Sequence, residues 1–217
     1  MKTPVYKLKD IVCGYDGKPV LWIDSLALND DGPVAFVGHN GSGKSTLLNL
    51  LAFLLPPISG NLLFMGESAD IDGKDALNVT MLMQDPYLLR RSVFDNVAYG
   101  LKARGARDVR DRVVEALEMV GLSPDFARRE WYQLSGGEAR RVALASRLVL
   151  RTKVLLLDEP TANVDEENAQ LIARVILDAR KLWGALPFIA THDLQWLDGV
   201  TQKRIFLRRG RIERMDT

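Results

Sequence analysis

Cysteine is almost absent: the 217-residue chain has only Cys13, which excludes an intramolecular disulfide. Histidine is nearly as scarce, with His39 and His192 alone, and so small a set of thiol and imidazole groups argues against a zinc centre. No apolar run reaches the roughly 18 residues that a membrane-spanning helix needs, and the start lacks the charged and then apolar pattern of a secretory signal. Net charge is missing too. The 29 basic and 28 acidic residues leave +1 overall, so no whole-chain field selects nucleic acid or an anionic bilayer, and no nucleic-acid partner is expected. Internal repeats, low-complexity tracts and long linkers are also lacking. These absences imply a cytosolic protein that serves any membrane process by docking on another chain. What remains is an apolar content of 47%, enough for one α/β core or one core with a small insertion.

The order of elements is legible in the hydrophobic period. Val5, Leu8 and Ile11, then Val20, Trp22, Ile23 and Leu26, alternate around Gly14, Asp16 and Gly17 and predict antiparallel strands. Val34 to Val37 is a short apolar run of the kind buried on both faces. A glycine-rich loop and a helix from about Ser45 to Leu54 follow, with Pro56 and Pro57 expected to end it. Strands are predicted over Asn61 to Phe64 and Val79 to Met83. From about 86 to 150 the period turns helical, through Val93, Val97 and Leu101, then Val109, Val113, Leu117 and Val120, then Val142, Leu144 and Leu148. A buried strand resumes at Val154 to Leu157. A helix spans about Glu166 to Leu182, another strand runs from Phe188 to Thr191, and a hairpin turns about Arg209 and Gly210. The economical reading is one domain over 1–217, with β and core parts at about 1–85 and 151–217 and a helical subdomain at about 86–150. Basic pairs such as Arg90-Arg91 and Arg128-Arg129 read as solvated surface.

Chemistry concentrates in three short segments. GHNGSGKST, Gly38 to Thr46, fits the phosphate-binding pattern G-x-x-x-x-G-K-[ST] and lies between a strand and a helix, the context that separates it from an ordinary glycine-rich turn. Gly38, Gly41 and Gly43, with Asn40 and Ser42 between them, let backbone N–H groups face phosphate oxygens. The helix start adds partial positive charge. Lys44 is then placed for the β and γ phosphates and the Ser45 hydroxyl for Mg²⁺. His39 takes no part and reads as a solvent-facing loop residue. VLLLDEP, Val154 to Pro160, is a buried strand ending in two carboxylates. Such an ending is commonplace alone, but beside a phosphate loop it suits Asp158 to Mg²⁺ and Glu159 to the attacking water. In LSGGE, Leu134 to Glu138, Ser135 and Glu138 make a capping box. Capping does not need Gly136 and Gly137, each about 1 kcal/mol worse than Ala inside a helix, so close approach of an anion is a second reading. Val37, Leu157 and Thr191 each close an apolar strand, which gathers the loop, Asp158, Glu159 and His192 at the carboxyl edge of one parallel sheet.

With these segments in order, the chain resembles an ABC ATPase subunit over essentially its full length. GHNGSGKST is similar to the family's Walker A motif, VLLLDE to Walker B with the catalytic glutamate, and LSGGE to the signature motif, with Glu138 where Gln is commoner. Gln84 in MLMQDP resembles the Q-loop, which the resemblance assigns to the metal and catalytic set. Asp165 in TANVD resembles the D-loop, and His192 in ATHD the switch histidine. Tyr15 resembles the aromatic that stacks on adenine, although it also reads as an ordinary turn tyrosine.

The fold implied is α/β, a P-loop NTPase core of mostly parallel sheet flanked by helices, with an N-terminal antiparallel β subdomain and an inserted α-helical subdomain. The resemblance implies Mg-ATP as ligand and a second copy of the chain as partner. ATP would lie between Lys44 and His192 of one copy and Ser135, Gly136 and Gly137 of the other. It further implies transmembrane permease subunits as partners, on the inner face of the cell membrane, with Pro86, Tyr87 and Leu88 as a docking groove. SVFDNVAYGL, Ser92 to Leu101, resembles the importer branch, which would add a solute-binding protein indirectly. The wider segment from Gln84 to Leu101 looks most like cassettes for tungstate or a similar oxyanion. The chain ends shortly after His192, so no C-terminal regulatory domain is expected. Two other readings stay open: a soluble ABC ATPase of DNA repair or translation, though neither a second cassette nor a coiled-coil insertion appears, and the energy subunit of an exporter. No N-K-x-D segment for guanine is present.

Overall fold

In the computed structural model, which describes residues 3–70, 73–162 and 164–216, the opening alternation becomes a long hairpin of β1 (Tyr6–Tyr15) and β2 (Lys18–Leu28). Asp16 and Gly17 at its tip both have positive φ, 50° and 73°, the backbone that a two-residue hairpin turn demands. Next come β3 (Val34–Val37), buried at all four positions, and α1 (Lys44–Leu51). The segment continues through β4 (Ser59–Phe64), β5 (Glu67–Ser68) and β6 (Val79–Leu82). Then follow α2 (Val93–Ala103), α3 (Val109–Met119), α4 (Gly136–Leu148), β7 (Val154–Asp158) and α5 (Glu166–Trp183). The last elements are β8 (Leu186–Thr191), α6 (Leu194–Leu197), β9 (Arg204–Arg208) and β10 (Arg211–Asp216).

These elements divide between two units. One consists of Met1–Met81, Lys153–Glu159 and Leu186–Thr217, the other of Leu82–Thr152 and Pro160–Ala185. In the first unit β2, β1, β4 and β5 form a four-stranded sheet, antiparallel wherever β1 or β4 pairs. The second sheet has the order β10-β9-β3-β8-β7-β6, in which β9, β3, β8 and β7 run parallel and β10 turns back on β9. Apolar residues of α1 touch both sheets, which is why Leu47, Leu48, Leu50 and Leu51 are all buried around its circumference.

Tyr6 sits at the centre of that layer, with ring centroids 4.9 Å from Phe64, 5.9 Å from Phe188 and 6.2 Å from Phe53. Its hydroxyl donates to the Leu51 carbonyl at 2.7 Å, capping the end of α1, and burial drives the phenol well above its ordinary pKa. Tyr6→Phe keeps the ring and strands that carbonyl, so it is expected to cost about 1–2 kcal/mol in a denaturant titration with an unchanged slope.

The second unit packs α2, α3 and α4 against one another, with Val97, Leu101, Val113, Leu117, Val142 and Leu148 buried. Gly100 permits the close packing: a Cβ there would lie 2.8 Å from a methyl of Leu150. Buried Asn96 binds the preceding loop, accepting from Leu89 N–H at 2.7 Å and donating to the carbonyls of Leu89 and Ser92 at 3.0 and 2.9 Å. Arg112 donates to the Val149 carbonyl at 2.6 Å and closes α4.

Two sequence expectations need correcting. The first helix ends at Leu51 rather than near Leu54. Phe53 takes a left-handed φ of 61° and the N–H groups of Leu54 and Leu55 both return to the Asn49 carbonyl, so the helix is closed before the prolines arrive. The helix over Glu166–Trp183, placed with the core by its order in the chain, falls in the second unit.

Candidate active site

Parallel register brings the ends of three strands level: Val37 lies opposite Thr191, and Asp158 opposite Ala190. The loop from Gly38 to Gly43 leaves β3 at that edge. Gly41 and Gly43 have φ of 77° and 104°, a backbone that side chains resist. A Cβ on Gly38 would fall 2.4 Å from the Leu207 carbonyl oxygen. The tip of the last hairpin holds the loop from behind, the Gly210 N–H donating to the Ser42 carbonyl at 2.9 Å. Helix α1 begins with no side-chain cap and no acidic residue in its first turn, so its leading N–H groups are left for an anion. Lys44 is buried and curls over the loop, donating to the Gly38 carbonyl at 2.7 Å and lying 3.4 Å from Glu159.

Glu159 is held in an uncommon conformation. Its φ is 45°, unusual for a side-chain-bearing residue and worth of order 1–2 kcal/mol of strain, and its N–H donates to the Ala190 carbonyl at 2.8 Å. The Thr191 hydroxyl donates to Oε2 at 3.1 Å, and Nδ1 of exposed His192 lies 3.1 Å from each carboxylate oxygen. Asp158, one residue earlier, is buried with the Ser45 hydroxyl as a hydrogen-bond partner, while its Oδ1 has none. Burial pushes its carboxyl above the ordinary value, and the charge on Glu159 adds to this against the opposing Ser45 and Lys44. A buried carboxylate oxygen without a partner, beside a hydroxyl, is the hard oxygen donor set that Mg²⁺ takes. No group of three His, Cys, Asp or Glu could hold a metal alone among the described residues, so such an ion would need ligand oxygens as well.

A cavity of about 580 Å³ opens at this edge, lined by both histidines, His39 and His192, and by Phe206 and Arg208. Lys44, Ser45, Asp158 and Glu159 are not among its lining residues, so it lies beside the phosphate loop. Tyr15 stands at the hairpin end, 45% exposed, its hydroxyl accepting from Asn49 of α1 at 3.1 Å. The structure thus draws Lys44, Ser45, Asp158, Glu159 and His192 together, and links Tyr15 to the helix that carries Thr46.

The remaining candidates belong to the second unit. Gln84 is exposed just beyond β6. Ser135 caps α4 as expected: its N–H and hydroxyl donate to Glu138 at 2.8 and 2.9 Å, which holds that carboxyl below its ordinary value. Gly136 and Gly137 show neither positive φ nor any atom within 4 Å of an added Cβ, so packing within the chain does not require them. Asp165 caps α5, accepting from Asn168 N–H at 2.8 Å. Sequence reasoning missed the hydroxyl of Thr191, which it used only as a strand end. The one signal was a polar residue closing an apolar run before His192.

Residues 23–162 match the model of a family described as ABC transporter. A tungstate uptake system ATP-binding protein of Peptoclostridium acidaminophilum is 35% identical over 218 residues, spanning 100% of this chain and 99% of its own. An energy-coupling factor transporter ATP-binding protein of Caldanaerobacter subterraneus is 36% identical over 201 residues, or 89% of this chain and 70% of its own. Among solved structures, an ATP-binding cassette captured as a dimer after hydrolysis, with ADP and Pi, superposes with a TM-score of 0.86 at 27% identity, covering 98% of each chain.

Proposed function

The chain belongs to the ABC transporter family, as an ATPase that energises a membrane transporter, and from that premise we propose a composite mechanism for it. ATP binds to the Gly38–Thr46 loop of one copy and is enclosed by Ser135, Gly136 and Gly137 of a second. The observation that carries this reading is that the two signature glycines face open space, so their bare backbone serves a contact outside the chain. The dimeric relative bound to ADP and Pi supports the pairing.

Lys44 holds the β and γ phosphates, and Tyr15 lies against the adenine. Ser45 and Asp158 would hold Mg²⁺, which would neutralise charge on the phosphate oxygens. Water attacks the γ phosphorus as the bond to the ADP oxygen breaks, and the water's proton passes to Glu159. Thr191 fixes the rotamer of Glu159, and His192 bridges it to the γ-phosphate side. Asp165 meets the second copy.

The transporter is an importer, and its cargo a small solute or an oxyanion such as tungstate. The end-to-end likeness to a tungstate uptake ATP-binding protein supports this. The chain sits on the inner face of the membrane against a permease, and no described helix is long and apolar enough to cross it. Affinity capture from native membranes tests this: a co-purifying multi-span chain is expected, and a soluble nucleic-acid factor in its place would sink the importer reading.

Ser135→Arg tests the pairing. The bulky cation blocks a loop that only the facing copy needs, so nucleotide binding by the monomer is expected to persist. ATP-driven dimerisation is expected to vanish and phosphate release to fall by about 10²-fold or more. Hydrolysis that continued at full rate without pairing would overturn the composite site.

A further inference from the structure

The segment after Glu159, described at residues 160–162 and 164–165, has no regular secondary structure at those residues. The carbonyl groups of Pro160, Thr161 and Ala162 therefore depend on donors outside any strand or helix. The Thr161 carbonyl is served locally by Val164 N–H at 3.3 Å. Those on either side are served by one side chain from α4: Arg140 donates through Nε to the Pro160 carbonyl at 3.1 Å and through Nη1 to the Ala162 carbonyl at 2.8 Å. The next residue, Arg141, donates through Nη1 to Oδ1 of Asn168. Asn168 in turn donates its backbone and side-chain N–H groups to the two carboxylate oxygens of Asp165, each at 2.8 Å. Two consecutive arginines of α4 thus reach both ends of the segment, all within the second unit.

We propose that Arg140 is a positioning residue that fastens the helix opened by Ser135 to the segment ending at Asp165, so that the two elements facing a second copy move as one piece. The inference rests on the paired reading given above. Its physical basis is the guanidinium fork: a planar group with rigidly spaced donors holds two carbonyls at a fixed separation, which a flexible ammonium cannot do. The bonds are charge-assisted and partly buried, so they are stronger than ordinary surface contacts. The described residues of the segment have no ladder of their own, and without the fork Asp165 would sample positions that leave α4 correctly placed and its companion displaced. Closure around ATP would then carry an ordering cost that the intact chain has already met.

The test uses the full chain carrying Glu159→Gln, with Arg140→Ala or Arg140→Lys added. Three quantities are measured: affinity of the dilute monomer for a fluorescent ATP analogue, ATP-driven dimerisation by sedimentation velocity, and the melting temperature. Arg140→Ala is expected to leave monomer affinity within about twofold and to weaken dimerisation about tenfold or more. Arg140→Lys, which reaches one carbonyl at a time, is expected to fall between, about threefold weaker than the parent, and it serves if the alanine variant does not fold. A parent that stays monomeric with ATP would sink the paired reading and this proposal with it. A parent that dimerises, with both variants pairing equally well, would sink the proposal alone. So would a loss of dimerisation that merely parallels losses of monomer affinity and melting temperature.

Discussion

Replacing Glu159 with Gln is expected to lower ATP turnover by about 10²- to 10⁴-fold while leaving ATP bound and the pair of copies closed. The amide has the shape of the carboxylate, so the features that fix the residue survive. Its N–H still reaches the Ala190 carbonyl, its side-chain oxygen still accepts from the Thr191 hydroxyl, and the left-handed backbone at 45° is unchanged. What disappears is the proposed base and the negative charge 3.4 Å from the Lys44 ammonium. Loss of the base stops the proton of the attacking water from being taken up. Loss of the charge releases Lys44 from a competing partner, so nucleotide affinity is expected to hold or rise. Single-turnover phosphate release and retention of labelled nucleotide on the dimer separate the two effects. Turnover at the parent rate would remove Glu159 from the mechanism.

How far the sequence reaches can be seen by setting Lys44 beside Thr191. The phosphate loop is legible because its parts are consecutive: strand, glycines, lysine and helix start occupy one stretch, and the chemistry demands those residue types in that order. The same holds for Asp158 and Glu159 at the end of an apolar strand, and the parallel register then gathers them as the strand ends imply. Thr191 and Arg140 were not legible. Their partners are Glu159 and the carbonyls of Pro160 and Ala162, 32 residues away in one case and 20 and 22 in the other, and a carbonyl carries no residue identity that a pattern could record. The end of α1 failed for a related reason. Pro56 and Pro57 are strong local breakers, yet the helix is closed earlier by Phe53 in a left-handed conformation, which lets its ring pack on Tyr6 and Phe64. A tertiary contact outweighed the local signal there.

Asp158 joins these arguments, because the same burial that suits it to a metal makes it a liability when nucleotide is absent. Burial first, and then the adjacent Glu159 charge, push its carboxyl above the ordinary aspartate range, while Ser45 and Lys44 offset only part of this. Between the ordinary value and the raised one, the folded chain keeps a proton that the unfolded chain has released. Stability of the nucleotide-free protein therefore falls as pH rises through that window, and above it the full cost of a buried charge remains. Asp158→Asn removes the charge and keeps the size. It is expected to melt a few degrees higher than the parent at neutral pH without nucleotide, at about 2–4 °C per kcal/mol for a chain of this length. That advantage should shrink when pH is taken below the ordinary aspartate range, where both side chains are neutral. With Mg-ATP the order should reverse, because the parent gains ligand stabilisation through an oxygen that asparagine presents without charge. Phosphate release by the variant should drop by about 10²-fold or more. A variant that melted lower than the parent without nucleotide would show that the Lys44 ammonium depends on Asp158 more than on Glu159, and would reverse the ranking of charges at this strand end.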